Sequence, residues 1–181
     1  MIVGKGQKIE IEIAEKQEAE TIELKEGAHA HITIIGARTL RLDVVLSEEG
    51  AVLEINGIFR GNADEEQNVI LHIVQDAPYT SCNVRFRVAL KDSARSRFDG
   101  LIRMTERATD SHARLSYRGI LLSKQSRAMP TPRLEILTKR IASASHEASI
   151  GTIDPQQLFY LQSRGVSRKE AERLIVDAFL T

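Results

Sequence analysis

Apolar and polar residues alternate with a period of two along most of this chain. The run "KIEIEIAE", residues 8–15, places Ile9, Ile11 and Ile13 on one face and Glu10 and Glu12 on the other. The stretches "TIELKE", "AHITII", "LRLDVVL", "VLEINGIF", "NVILHIVQ", "CNVRFRVAL", "SRFDGLIRM", "ARLSYRGILL" and "RLEILT" repeat the habit as far as about residue 140. Each predicts a short strand with one buried and one wet face.

Many short strands at such spacing fit a sandwich, a barrel or a β-solenoid. Two-residue hairpin signals are scarce. Asn56-Gly57 is the one Asn-Gly pair, and it lies inside a strand-like run. Gly, Ala and Ser recur at apolar positions, which suits stacked coils with narrow corners. No exact repeat is visible, so the pattern leaves the three architectures open.

The C-terminal texture is helical. Asp154-Pro155 pairs a capping side chain with a proline at the first helical position, and "QQLFYLQSR" runs to Gly165. Ser167 and Glu170 have capping-box spacing. Ala171, Leu174, Ile175, Ala178 and Phe179 then form one predicted apolar stripe. The expected organisation is a β core over 1–150 and a helical segment over 151–181. Such a helix pair can seal a solenoid end or offer a docking surface.

Composition narrows the function. The 181 residues carry 25 Lys and Arg against 25 Asp and Glu, so no whole-chain field recruits nucleic acid or a membrane. Charge is nonetheless uneven: residues 1–50 hold ten acids against six Lys and Arg, and residues 85–140 hold fourteen Lys and Arg against five acids. That pattern reads as solvated strand faces, or as a basic face for an acidic partner. Cys82 is the single cysteine, which excludes an internal disulfide or a multi-cysteine metal site built from this chain alone. There is no signal-type apolar run, so a reducing cytoplasm is the expected compartment.

From about His72 onward the chain resembles the SufB/SufD family of iron–sulfur cluster assembly proteins. The resemblance rests on "APYTSCNVRFRVALKDSARSRFDGLIRM", "LLSKQSRAMPTPRLEI" and above all "SHEASIGTIDPQQLFYLQSRGVSRKEAERLIVDAFL". It implies a right-handed parallel β-helix followed by short helices. It also implies partnership with the ABC-type ATPase SufC through those helices, and pairing with another SufB/SufD-like subunit or with a second copy. The cargo would be iron or a transient iron–sulfur cluster. The position of a SufB cysteine that receives sulfur falls near Tyr117 here, and His146-Glu147 resembles the "HEA" of SufB.

The candidate ligands are His146, Glu147 and Cys82. Imidazole and carboxylate are both iron ligands, but adjacent strand residues reach one metal only where the backbone bends. The resemblance makes His146 an interface histidine involved in cluster building. A lone buried cysteine is the bland reading of Cys82; the other is one thiolate from each half of a dimer. For ATPase docking the candidates are Leu158, Phe159, Tyr160, Arg164, Leu174, Ile175 and Phe179. His29-x-His31 puts two imidazoles on one strand face and raises a cupin-like metalloenzyme as a rival, though Ile35 stands where a cupin has its glutamate. His72, Asp76 and His112 read as coil corners. Arg85, Arg87, Arg95 and Arg97 read as solvated edges or the groove of a paired subunit. The expected role is therefore a non-catalytic assembly scaffold. A structural homodimer and a metal-dependent β-helix enzyme are the alternatives.

Overall fold

The computed structural model describes residues 1–14 and 20–181. Twelve strands alternate between two parallel sheets. The first sheet runs β1 (Ile2–Val3), β3 (Glu20–Leu24), β5 (Thr39–Leu46), β7 (Glu66–Gln75), β9 (Arg95–Met104) and β11 (Arg127–Ile136). The second runs β2 (Lys8–Ala14), β4 (His29–Ile35), β6 (Val52–Gly61), β8 (Ser81–Leu90), β10 (His112–Leu121) and β12 (Ser143–Gly151). Each strand pairs with the strand two further on, which is a β-solenoid. The antiparallel hairpins of a sandwich or barrel are absent among the described residues.

The coils widen along the chain. On the second sheet Lys8 lies beside His29, and His29 beside Val52. Val52 then lies beside Ser81, Ser81 beside His112 and His112 beside Ser143, so the later turns take more chain than the early ones. Strands lengthen from seven residues in β4 to ten in β8. The repeat escapes a search for fixed periods because its step drifts.

Alternation builds the core as columns of inward residues. One column reads Ile11, Ile32, Ile55, Val84 and Leu115, and the next reads Ile13, Ile34, Gly57, Phe86 and Tyr117. All of these but the half-buried Ile11 are buried. Phe86, Phe98 and Tyr117 cluster where the coils are widest, with ring centroids 4.9 to 6.2 Å apart. Gly57 makes room for them. A Cβ there would lie 2.0 Å from Phe86 Cε2. The Asn-Gly pair is thus a packing device inside β6 rather than a hairpin turn.

One corner repeats in every coil. Gly6, Gly27, Gly50, Tyr79 and Asp110 all have positive φ. Each donates its N–H to a carbonyl one coil on: Glu26, Glu49, Pro78, Thr109 and Arg140, at 2.8 to 3.2 Å. The left-handed corner is filled by glycine in the narrow coils and by Tyr79 and Asp110 in the wide ones.

Two expectations about the β core are corrected. β11 begins at Arg127, before Pro130 and Pro132, not at Arg133; as the sheet's edge strand it tolerates prolines. β12 lies inside the expected core over 1–150 but beyond the strand-like runs quoted above. Its inner positions, Ala144, His146, Ala148 and Ile150, meet no further coil among the described residues and alternate only weakly, with small residues and a histidine. His72 is no corner residue, for it sits within β7 with Nδ1 3.4 Å from Asp43.

Two helices follow. α1 (Pro155–Ser163) is capped by Asp154, whose side chain accepts from Gln156 N at 2.9 Å. α2 (Arg168–Leu180) is capped by Ser167, which accepts from Glu170 N. α2 lies on the flank of the second sheet: Ala171, Val176 and Leu180 are buried, the last two clustering with Ala89 against Ile58, Leu122 and Ile153. The stripe is therefore rotated from the predicted one. Leu174 is left in solvent because the solenoid wall meets α2 on the Val176–Leu180 side. No helix is long and apolar enough to cross a membrane among the described residues.

Candidate functional site

β12 is the outermost rung of the second sheet, hydrogen-bonded only to β10, and it carries the His146-Glu147 pair. The pairing is regular along the whole strand, so it does not bend between the two side chains. His146 is in register with Leu115 and continues an inner column; with no coil above, its ring is exposed. Glu147 is in register with Ser116 on the outer face. The two side chains leave opposite sides of the strand, and one ion cannot take both within this chain.

Glu147 has partners of its own. Ser116 Oγ donates to its Oε1 at 2.8 Å. Arg114 Nη2 donates at 3.4 Å, and Arg118 stands 3.8 Å away. These contacts hold its carboxyl below the usual carboxylate range, Ser116 first, then Arg114. Chemically, Glu147 is an anchor within an arginine cluster, and His146 is an exposed imidazole on the opposite side.

Cys82 sits on β8 between Leu53 and Ala113 in an inner column. It is 1% exposed, and burial raises its thiol well above the ordinary value. A thiol held neutral in the core offers no thiolate to a ligand at the surface. Tyr117, near which the resemblance places a sulfur-receiving cysteine, is also core. Its Oη donates to Ser96 Oγ at 3.1 Å, and Ser96 donates on to Gln67 Oε1 at 2.9 Å. Burial pushes its hydroxyl up to about 12.

His29 and His31 share the outer face of β4, as alternation requires. His29 lies 3.8 Å from Glu54, and His31 Nε2 contacts Asn56 Nδ2 at 2.9 Å. Among the described residues no group of three or more His, Cys, Asp or Glu side chains forms that could hold a metal ion. Among the described residues a cupin-like centre has no third ligand beside His29 and His31.

The helix pair presents the docking candidates. α1 buries none of its residues. Phe159 is 73% exposed and Tyr160 57%, with the Arg164 guanidinium 5.4 Å from the Tyr160 ring. Leu174 joins them in solvent, whereas Leu158, Ile175 and Phe179 are half-buried and Phe179 packs toward the solenoid. The seven residues therefore divide between an outward set and an inward set.

Sequence reasoning missed Arg114 and Arg118. The available signal was the constant step of the wide coils. It sets Arg87 beside Arg118, and it stacks Arg85, Ser116 and Glu147 in one column of the outer face.

Comparison with known proteins bears on the same residues. The family model "SUF system FeS cluster assembly, SufBD core domain" matches residues 12–179. The iron–sulfur cluster assembly protein SufD of Bacillus subtilis is 30% identical over 132 residues, which are 73% of this chain and 30% of that protein. An iron–sulfur cluster assembly SufBD family protein of Mycobacterium leprae is 32% identical over 167 residues, 86% of this chain and 42% of that protein. SufB of B. subtilis is 26% identical over 145 residues, 80% of this chain and 28% of that protein. The chain thus spans less than half the length of each of these relatives.

Proposed function

The chain belongs to the SufB/SufD family of iron–sulfur cluster assembly proteins, and from that premise we propose that it is a non-catalytic, cytoplasmic scaffold. Its α1–α2 pair docks a SufC-type ABC ATPase, and ATP turnover is the partner's. The observation that carries this reading is α1. A capped helix with no buried residue and two solvent-facing aromatics is stable on a protein surface chiefly when something else covers it.

Co-purification with the SufC-type ATPase of the same organism is the test. The intact chain should retain the ATPase, and Phe159→Asp with Tyr160→Asp should weaken capture at least tenfold, as truncation of aromatic hot spots does. An ATPase that ignores the wild-type chain with and without ATP ends the proposal.

The open end of the solenoid supports a second contact. β11 and β12 each present an unpaired backbone edge among the described residues, and Met129, Ile136, Leu137, Ile141 and Ile150 are exposed there. Unpaired edges with apolar residues favour strand addition. We take the occupant to be another SufB/SufD-type subunit or a second copy, with His146 on the seam. Iron or a nascent cluster is cargo held between subunits, since one imidazole cannot hold it alone.

Anaerobic addition of iron and sulfide to the paired assembly should then give a visible charge-transfer band that His146→Ala removes and Cys82→Ser leaves. Loss of the band on Cys82→Ser, or its persistence in His146→Ala, would refute this placement.

A further inference from the structure

Most arginines of this chain pair with a carboxylate, although Arg97, Arg127 and Arg164 have no such partner among the described residues. Arg133 pairs with Asp99, Arg103 with Glu135, Arg140 with Asp110, Arg107 with Asp76, Arg95 with Glu66 and Arg38 with Glu65. The outer face of the second sheet gathers two more such arginines two positions apart on one strand. Arg85 and Arg87 on β8 have no carboxylate partner among the described residues, and the nearby Glu147 pairs with Arg114 and Arg118 instead.

Across the ladder, Arg87 is directly opposite Arg118, and Asn83 is opposite Arg114. Like charges directly opposite on neighbouring strands repel. Four guanidinium groups therefore converge with Glu147 as the one acid among the lining residues. The contacts of that acid run through Oε1 to Ser116, Arg114 and Arg118, which leaves the β8 pair uncompensated.

Shape goes with charge. Asn83 and Ser116 are short, and Arg85, Arg87, Arg114 and Arg118 around them are long. The result is a walled basin of about 270 Å³. Asn83 Oδ1 is buried at its edge without a hydrogen-bond partner. Exchanging the amide's O and N puts an unpaired N–H donor at that position. The basin already takes one carboxylate, Glu147, through a hydroxyl and guanidinium groups, which is how an oxyanion is held.

We propose that this basin binds a multiply charged oxyanion of the phosphate class, held by Arg85, Arg87, Arg114 and Arg118. The net charge of four guanidinium groups and one carboxylate calls for a di- or trianion, and the volume fits phosphate or pyrophosphate. No exposed aromatic lines the basin on which a nucleobase could stack. A nucleotide is thus read through its phosphates alone.

Isothermal titration of the intact protein at low ionic strength with phosphate, pyrophosphate and adenosine diphosphate tests this. Pyrophosphate should bind saturably, and adenosine diphosphate no more tightly than pyrophosphate. Arg85→Gln with Arg87→Gln should weaken binding at least tenfold at an unchanged melting temperature. Arg133→Gln, on the other sheet, should leave binding as it is. Glu147→Gln removes the competing carboxylate and should tighten binding several-fold, an outcome that loss of structure would not give. Raising salt should weaken all of it.

The proposal is overturned by any of three results. These are no saturable pyrophosphate binding, pyrophosphate binding indifferent to the Arg85/Arg87 double variant, or pyrophosphate binding that Arg133→Gln weakens as much as that variant does. A tighter grip on the nucleotide than on pyrophosphate would refute the phosphate-only reading.

Discussion

Gly57→Ala should cost the solenoid about 3 kcal/mol or more, at the upper end of what overpacking does. The added methyl would sit 2.0 Å from Phe86 Cε2 and 2.1 Å from Cδ2. The ring has nowhere to retreat. Phe86 is 1% exposed and hemmed in by Phe98 at 4.9 Å and Tyr117 at 6.2 Å. For a domain of this size a loss of that order lowers the melting temperature by roughly 6–12 °C.

Phe86→Ala alone should cost about 3–5 kcal/mol by emptying the same space. The double variant should cost clearly less than the sum of the two, because the truncated ring yields the room the methyl needs. Gly151→Ala, where a Cβ meets nothing within 4 Å, should change stability by less than about 0.5 kcal/mol. Thermal and denaturant unfolding of the four variants measures this. Strict additivity of Gly57→Ala and Phe86→Ala would show that the two sites do not share the space.

Val176→Asp should release the helix pair and leave the solenoid folded. Val176 is 3% exposed and clusters with Leu180 and Ala89, so an aspartate there is an unpaired carboxylate against apolar neighbours. What holds α2 down is modest. Burial of Val176 and Leu180 contributes roughly 1.5–3 kcal/mol each. The Arg60–Asp177 pair is solvent-exposed and of a kind worth about 0–1 kcal/mol. One buried charge is comparable with the whole of that.

Limited proteolysis within residues 164–173 should therefore accelerate tenfold or more, while the main unfolding transition stays put. α1, which buries nothing, should leave with α2, and ATPase capture should fall with it. Wild-type proteolysis rates in Val176→Asp would show that the helices are held some other way.

These experiments probe features that were unequally legible in the sequence. Where a strand faces a core, alternation announces it: residues 52–59 and 82–90 read correctly because the coils above and below demand an apolar inner face. β12 obeys the same geometry under a weaker demand, so its "SASHEASIG" alternates with small residues and breaks the apolar rhythm at His146. The helix caps were plain because Asp154 and Ser167 satisfy backbone donors locally. The rotation of the α2 stripe was not, because which side of α2 is buried depends on where the wall at Ala89 stands.

The candidate site divides the same way. His146 and Glu147 were visible as a pair, yet their separation onto opposite faces follows only once the pairing with β10 is known to be unbroken. The arginine basin was invisible for a different reason. Arg85 and Arg87 lie a whole coil before Arg114 and Arg118 in the chain. They become neighbours only through a step length that itself grows along the solenoid.

The register of the stack has an evolutionary corollary. Since each rung bonds only to the rungs on either side, genetic material encoding a whole turn can be gained or lost in the interior and the ladder still closes. In this chain the rung that carries His146 and the two helices come after the other coils, so such a change would leave them as they are. The length of such a solenoid is counted in rungs, and its reach can change without rebuilding the last one.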